Sequence, residues 1–158
     1  MPREFERQEL ERIFHMYKPS AVYLDRARIE FPRLEAGLIF PETPIYLNEG
    51  LGIQHINNTE VEIIVNQGMF LFYRQAMLDG ALDFPKIPKD KLQEHYDRMF
   101  IKQEIDYYER FTLRDRKDLV LKLEHSKTRK IGNAQLVWCN MFIPEFMKVE
   151  VIGGLKFD

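Results

Sequence analysis

At 158 residues the chain has the size of one domain that buries a core without disulfides or metals, and 45% hydrophobic with 13% aromatic residues excludes the composition of disorder. Its 23 basic and 25 acidic residues leave a net charge of −2, which excludes the broad basic field on which nucleic-acid binding depends. The single cysteine, Cys139, excludes an internal disulfide and a CxxC zinc site.

The charged N-terminus lacks the apolar core of a secretory signal, and no run approaches the roughly 20 apolar residues of a membrane span, so a cytoplasmic protein without membrane contact is expected. Phe5, Leu10, Ile13, Phe14 and Tyr17 recur at helical intervals and predict an amphipathic helix within residues 1–18. Beyond Ser20, alternation through Val22, Leu24, Ala27, Ile29 and Phe31 predicts a strand that Pro32 ends. A second extended stretch, Gly37 to Leu47, carries Pro41 and Pro44, which lack an N–H and predict a bulge or a sheet edge. Thr59 and Glu62 have the spacing of a capping box and predict a helix from there to the stop at Asp79-Gly80, apolar nearly all round and therefore buried.

A loop with Pro85 and Pro88 and a short polar helix over Lys89 to Met99 come next, then four predicted strands, Phe100 to Phe111, Leu119 to Thr128, Asn133 to Ile143 and Lys148 to Phe157. Short turns between them favour a meander. The whole is one α+β domain, a curved antiparallel β-sheet wrapped around a long central helix, which is the hotdog fold.

The polar residues around that helix carry the functional signal. Tyr46 ends an extended segment, His55 and Asn57 precede the helix, Glu60 and Glu62 lie in its first turn, and Asn66-Gln67 sit within an apolar run. Buried amides need partners, so Asn66 and Gln67 bind either structure or substrate. The block Gly37, Tyr46-Leu47, His55-Ile56-Asn57-Asn58-Thr59-Glu60 and Asn66-Gln67 resembles the FcoT-like, or type III, long-chain fatty acyl-CoA thioesterases, with Ile56 where that family has Phe. The resemblance covers about a third of the chain. It implies a hotdog fold, an active site formed by Tyr46, Asn57 and Asn66, Glu60 in the place of the family's Glu, and a homodimer or higher homo-oligomer.

The substrate so implied is an acyl-CoA or an acyl carrier protein thioester, with CoA or phosphopantetheine entering as part of the substrate and no separate cofactor. Chemically, N–H groups at a helix start can face an oxyanion, Asn57 and Asn66 can orient water, the Tyr46 hydroxyl can donate, and Glu60, Glu62 or His55 can take a proton, Glu60 ahead of the others because it stands where the family has its Glu. Thr59, Gln67, Phe70 and Tyr73 are candidate substrate contacts, the two aromatics as lining of an acyl tunnel. Each has a plain structural alternative: Glu60 and Glu62 as capping residues, Asn57 as a turn or cap residue, Asn66 as a bond to a strand, Tyr46 as a packed ring, His55 as an exposed loop residue. His15, His95 and His125 have no metal-ligand spacing, Cys139 reads as a core thiol, and Arg74, Arg110, Lys127 and Arg129 are unpatterned candidates for CoA phosphates. Two other functions stay open, a 3-hydroxyacyl-thioester dehydratase or related lyase using His55 with Glu60 or Glu62, and a noncatalytic acyl-thioester-binding module.

Overall fold

A computed structural model describes residues 1–41, 56–96, 99–108 and 116–157. The predicted N-terminal helix is shorter than its apolar spacing suggests: Arg3–Phe5 form a strand, β1, and the helix α1 spans Arg7–Ile13. The reason is a partner. β1 pairs antiparallel with β2, Leu24–Glu30, placing Phe5 opposite Ala27 with its ring in the core.

β2 turns into β3, Arg33–Leu38, in which Leu34, Ala36 and Leu38 are buried and Arg33 and Glu35 exposed. β3 lies inside the sheet between β2 and β5, Val120–Ile131, and ends before Pro41, so it shares only Gly37 and Leu38 with the stretch expected to be bulged or at an edge, and the register of β2 against β3 shifts there, between Leu24 and Arg26. Its N–H groups are therefore free to bond on both sides, and the stretch containing Pro44 lies outside the described residues.

The central helix α2 spans Asn58–Asp79. Its cap is shifted by two from the predicted one: Asn57, not Thr59, is the N-cap, and Glu60, not Glu62, closes the capping box. Asn57 has the extended backbone a cap needs (φ −114°, ψ 170°), and this register turns Glu60 inward while Glu62 faces out. At the other end Gly80 takes the left-handed conformation (φ 65°) and Ala81 N–H returns to the Ala76 carbonyl. The helix lies close on the sheet at Gly68, where a Cβ would stand 2.6 Å from Met141 Cε and 2.8 Å from Leu121 Cδ2.

After a 3-10 turn at Lys89–Lys91 and the short helix α3, Leu92–Tyr96, the remaining strands are β4 (Phe100–Tyr107), β5, β6 (Ala134–Ile143) and β7 (Met147–Lys156). β5, β6 and β7 form the expected meander, but β4 departs from it: the sheet order is β1-β2-β3-β5-β6-β7-β4, so β4 pairs with β7 at the far edge. All pairs are antiparallel. The core lies between the sheet and α2, whose Val61, Ile64, Val65, Met69, Phe72, Ala76 and Met77 are buried against inward residues such as Leu121, Val137, Met141 and Val149.

Candidate functional site

At the N-terminus of α2 the Asn57 Oδ1 accepts the Glu60 N–H at 3.2 Å, while the Asn57 N–H and Nδ2 donate to Glu60 Oε2 at 3.3 and 2.9 Å. Tyr23, at the start of the second strand, donates its hydroxyl to Glu60 Oε1 at 3.2 Å. Glu60 is fully buried, and a buried carboxylate requires such donors. One turn pair further on, Gln67 is also fully buried: its Oε1 accepts the Tyr23 N–H at 2.9 Å and its Nε2 donates to the Ala21 carbonyl at 2.6 Å. Glu60 and Gln67 are seven residues apart and share one helix face, so together they fasten the segment 21–23 to α2.

Asn66 lies elsewhere. It is exposed, so the partner that a buried amide would need is not required of it. The residues of α2 beyond its first turn that escape full burial are Glu62, Ile63, Asn66, Phe70, Arg74 and Leu78, with Asp79 at the end, and their spacing of three and four makes one stripe along the helix. Thr59 opens that stripe. At about 100° per residue, Glu60 and Glu62 leave the helix on nearly opposite sides, so it is Glu62 that shares a face with Asn66.

The strand β4 faces this region with a polar pair that the sequence reading did not single out. Ile101, Gln103, Ile105 and Tyr107 lie opposite Gly153, Val151, Val149 and Met147 of β7, all buried, and so belong to the concave face. Gln103 Oε1 and Tyr107 Oη are buried without a hydrogen-bond partner. Burial pushes the Tyr107 phenol above its ordinary value, and the nearby Glu62 carboxylate adds to this. The phenol thus keeps its proton at neutral pH and is a donor awaiting an acceptor. The available signal was period-two alternation: Gln103 and Tyr107 are polar groups in the inward phase of a strand.

Of the other candidates, Tyr46 and His55 lie outside the described residues. Phe70 is half-buried and packs on Phe14 of the α1 end, with ring centroids 5.5 Å apart. Tyr73 is fully buried and turned to the sheet, its hydroxyl 2.9 Å from His125 Nδ1. Burial pushes the neighbouring Cys139 thiol up to about 12, which keeps it protonated and unreactive. Among the described residues no group of three His, Cys, Asp or Glu side chains is placed to hold a metal ion, and no helix is long and apolar enough to cross a membrane.

No protein-family model and no curated protein matches the chain. Among solved structures it is similar to the dehydratase domain of the CurJ module of the curacin polyketide synthase, with a TM-score of 0.54 and 10% identity over 98% of this chain and 49% of that one. The chain has a hotdog fold. An inactive mutant of the CurJ dehydratase in complex with a compound aligns with a TM-score of 0.51 at 7% identity, over 98% of this chain and 48% of that one. The chain spans about half the length of these dehydratase chains. A thioesterase from Thermus thermophilus complexed with coenzyme A and zinc aligns over 80% of this chain and 77% of its own at 16% identity, with a TM-score of 0.46.

Proposed function

We propose that the chain hydrolyses fatty acyl thioesters where the exposed stripe of α2 meets β4. The observation that carries this is the buried Tyr107 hydroxyl without a hydrogen-bond partner, within electrostatic reach of the Glu62 carboxylate, with Asn66 one turn along the same helix face as Glu62. In this reading the thioester carbonyl oxygen accepts from Tyr107 Oη, and Asn66 orients a water. Glu62 takes the proton of that water as its oxygen adds to the carbonyl carbon. The carbon–sulfur bond then breaks, and the proton passes to the departing thiolate, giving a free acid and a thiol. Glu60 and Asn57 act one step back, by fixing the start of the helix that presents Glu62. Thr59 and Phe70 flank the site on the stripe.

A homodimer fits the same face. Among the described residues β4 is bonded to β7 on one side only, and its concave-face residues Ile101, Ile105 and Tyr107 are only half-buried. A second copy adding its β4 there covers them and closes the site.

The test is thiol release from acyl-CoA esters of C2 to C18 by the wild type and by Glu62→Gln and Asn66→Ala, with folding checked by thermal melt. Release by the wild type that both folded variants lose is the expected result. No release at any chain length from folded protein overturns it. A second reading, a dehydratase or related lyase, pairs Glu62 with His55 and is chosen instead if an enoyl thioester is hydrated with no thiol release.

A further inference from the structure

The stripe of α2 does not end at the candidate site. Asn66, Phe70, Arg74 and Leu78 follow one another at successive turns, and the last three line a groove of about 700 Å³ between α1, the C-terminal half of α2 and the Lys89–Leu92 segment. From Asn66 to Arg74 the distance along the helix axis is about 12 Å. The groove has apolar walls at Ile13, Phe70 and Leu78. Among the described residues its cations are Arg3, Arg12, Arg74 and Lys89 and its carboxylates Glu9 and Asp79, and the side chains of Arg12 and Lys89 are exposed. Both carboxylates are also engaged, Glu9 by Arg3 at 2.9 Å and Asp79 by Gln75 Nε2 at 2.8 Å.

Gln75 supplies an independent sign of a ligand. Its side chain lines the groove and the residue is only 3% exposed, yet its Oε1 is buried with no hydrogen-bond partner. A buried acceptor left unanswered is a rarity that calls for a donor, and the exposed Arg12 and Lys89 on the same groove suit an anion. One molecule that meets both demands carries an N–H and, further along, a phosphate.

We propose that this groove binds the phosphopantetheine arm of coenzyme A, as the carrier of the thioester that reacts beside Glu62. An amide N–H of the arm donates to Gln75 Oε1, its methylenes lie on Phe70 and Leu78, and its phosphates meet Arg12 and Lys89. The inference rests on the thioester reading of the Glu62 and Tyr107 site. It adds a location for the polar end of the substrate, on the same helix face as the reacting end.

The test uses the full chain and three variants, Arg12→Glu, Lys89→Glu and Gln75→Leu. The first two change exposed side chains, so they stay informative if the third fails to fold. Binding of coenzyme A is measured by calorimetry, and turnover is compared between an acyl-CoA and the N-acetylcysteamine thioester of the same acyl group, which has no phosphate. Each charge reversal is expected to weaken coenzyme A binding and raise KM for the acyl-CoA about tenfold, leaving kcat/KM for the short thioester within about twofold. Gln75→Leu is expected to weaken coenzyme A binding similarly. Wild-type turnover of both substrates with charge reversals that alter neither overturns the groove assignment and leaves the hydrolase reading standing. If no thioester is turned over, the hydrolase reading fails. Coenzyme A binding then decides the groove alone: tenfold weakening by the reversals supports it, and unchanged or absent binding overturns it.

Discussion

Gln67 holds Tyr23 by its backbone, and the Tyr23 hydroxyl in turn reaches Glu60 at 3.2 Å. The inward face of α2 therefore carries a relay of polar contacts that ties the start of the second strand to the helix cap. Gln67→Leu removes both bonds and strands the Tyr23 N–H and the Ala21 carbonyl in the core. Its expected cost is about 2–6 kcal/mol of unfolding free energy, from two buried groups at about 1–3 kcal/mol each, read by chemical denaturation. A loss under about 0.5 kcal/mol means the two bonds are not formed in solution.

Glu60 and Glu62 are separated by their helix faces, and their glutamine variants should fail in different ways. Glu60→Gln places an amide among donors that need an acceptor, so the melting temperature falls clearly. Glu62→Gln changes an exposed side chain, so stability stays within about 0.5 kcal/mol while turnover drops by about 10²–10⁴-fold, the range for a lost general base. The reverse pattern, with Glu62→Gln active and Glu60→Gln stable but dead, assigns the proton transfer to Glu60.

Much of this architecture is visible before any coordinates. Alternation places β2, and the helical apolar run with Asp79-Gly80 places the end of α2. Asn57 with Glu60 and Thr59 with Glu62 have the same spacing, so the pattern alone does not fix the cap, and only packing tells which glutamate turns inward. The position of β4 is invisible for a related reason, since pairing across the sheet to β7 is a long-range choice that local pattern does not encode. Both members of the amide pair Asn66-Gln67 lie within an apolar run, which predicts burial for each. One residue of rotation, about 100°, is enough to make Gln67 a core fastener and leave Asn66 on the open stripe.

Tyr107→Phe separates a functional hydroxyl from a structural one. The hydroxyl has no protein partner, so removing it relieves a buried polar group and should leave stability unchanged or slightly raised. If Tyr107 donates to the reacting carbonyl, kcat falls by about 10²–10³-fold, the range for one lost oxyanion donor. Turnover equal to wild type in the folded variant removes Tyr107 from the site.

The β4 edge predicts the assembly state. The wild type should sediment as a dimer of 19.0 kDa chains at micromolar concentration. Ile105→Lys puts a charge on the half-buried concave face of that strand and should raise the dimer dissociation constant at least about tenfold. A monomeric wild type, or a variant that dimerises equally well, places the contact elsewhere.

His125 gives the fold a pH dependence whose sign follows from its bonds. Its Nδ1 accepts from Tyr73 at 2.9 Å, and its Nε2 donates to Thr128 Oγ1 at 3.0 Å, which passes its own proton to the Leu82 carbonyl at 3.1 Å. That chain needs a neutral ring with the proton on Nε2. Burial lowers the His125 pKa below its ordinary 6.5, and the Asp83 carboxylate only partly opposes this. The unfolded chain therefore takes up a proton near pH 6.5 that the folded chain still refuses. Stability is full above that value and falls as pH drops through it, until the folded-state pKa is also passed. Denaturation midpoints of wild type and His125→Gln between about pH 8 and pH 5 measure the effect. The wild type should lose more stability than the variant over this range, and parallel curves for the two proteins mean that the ring is not held neutral.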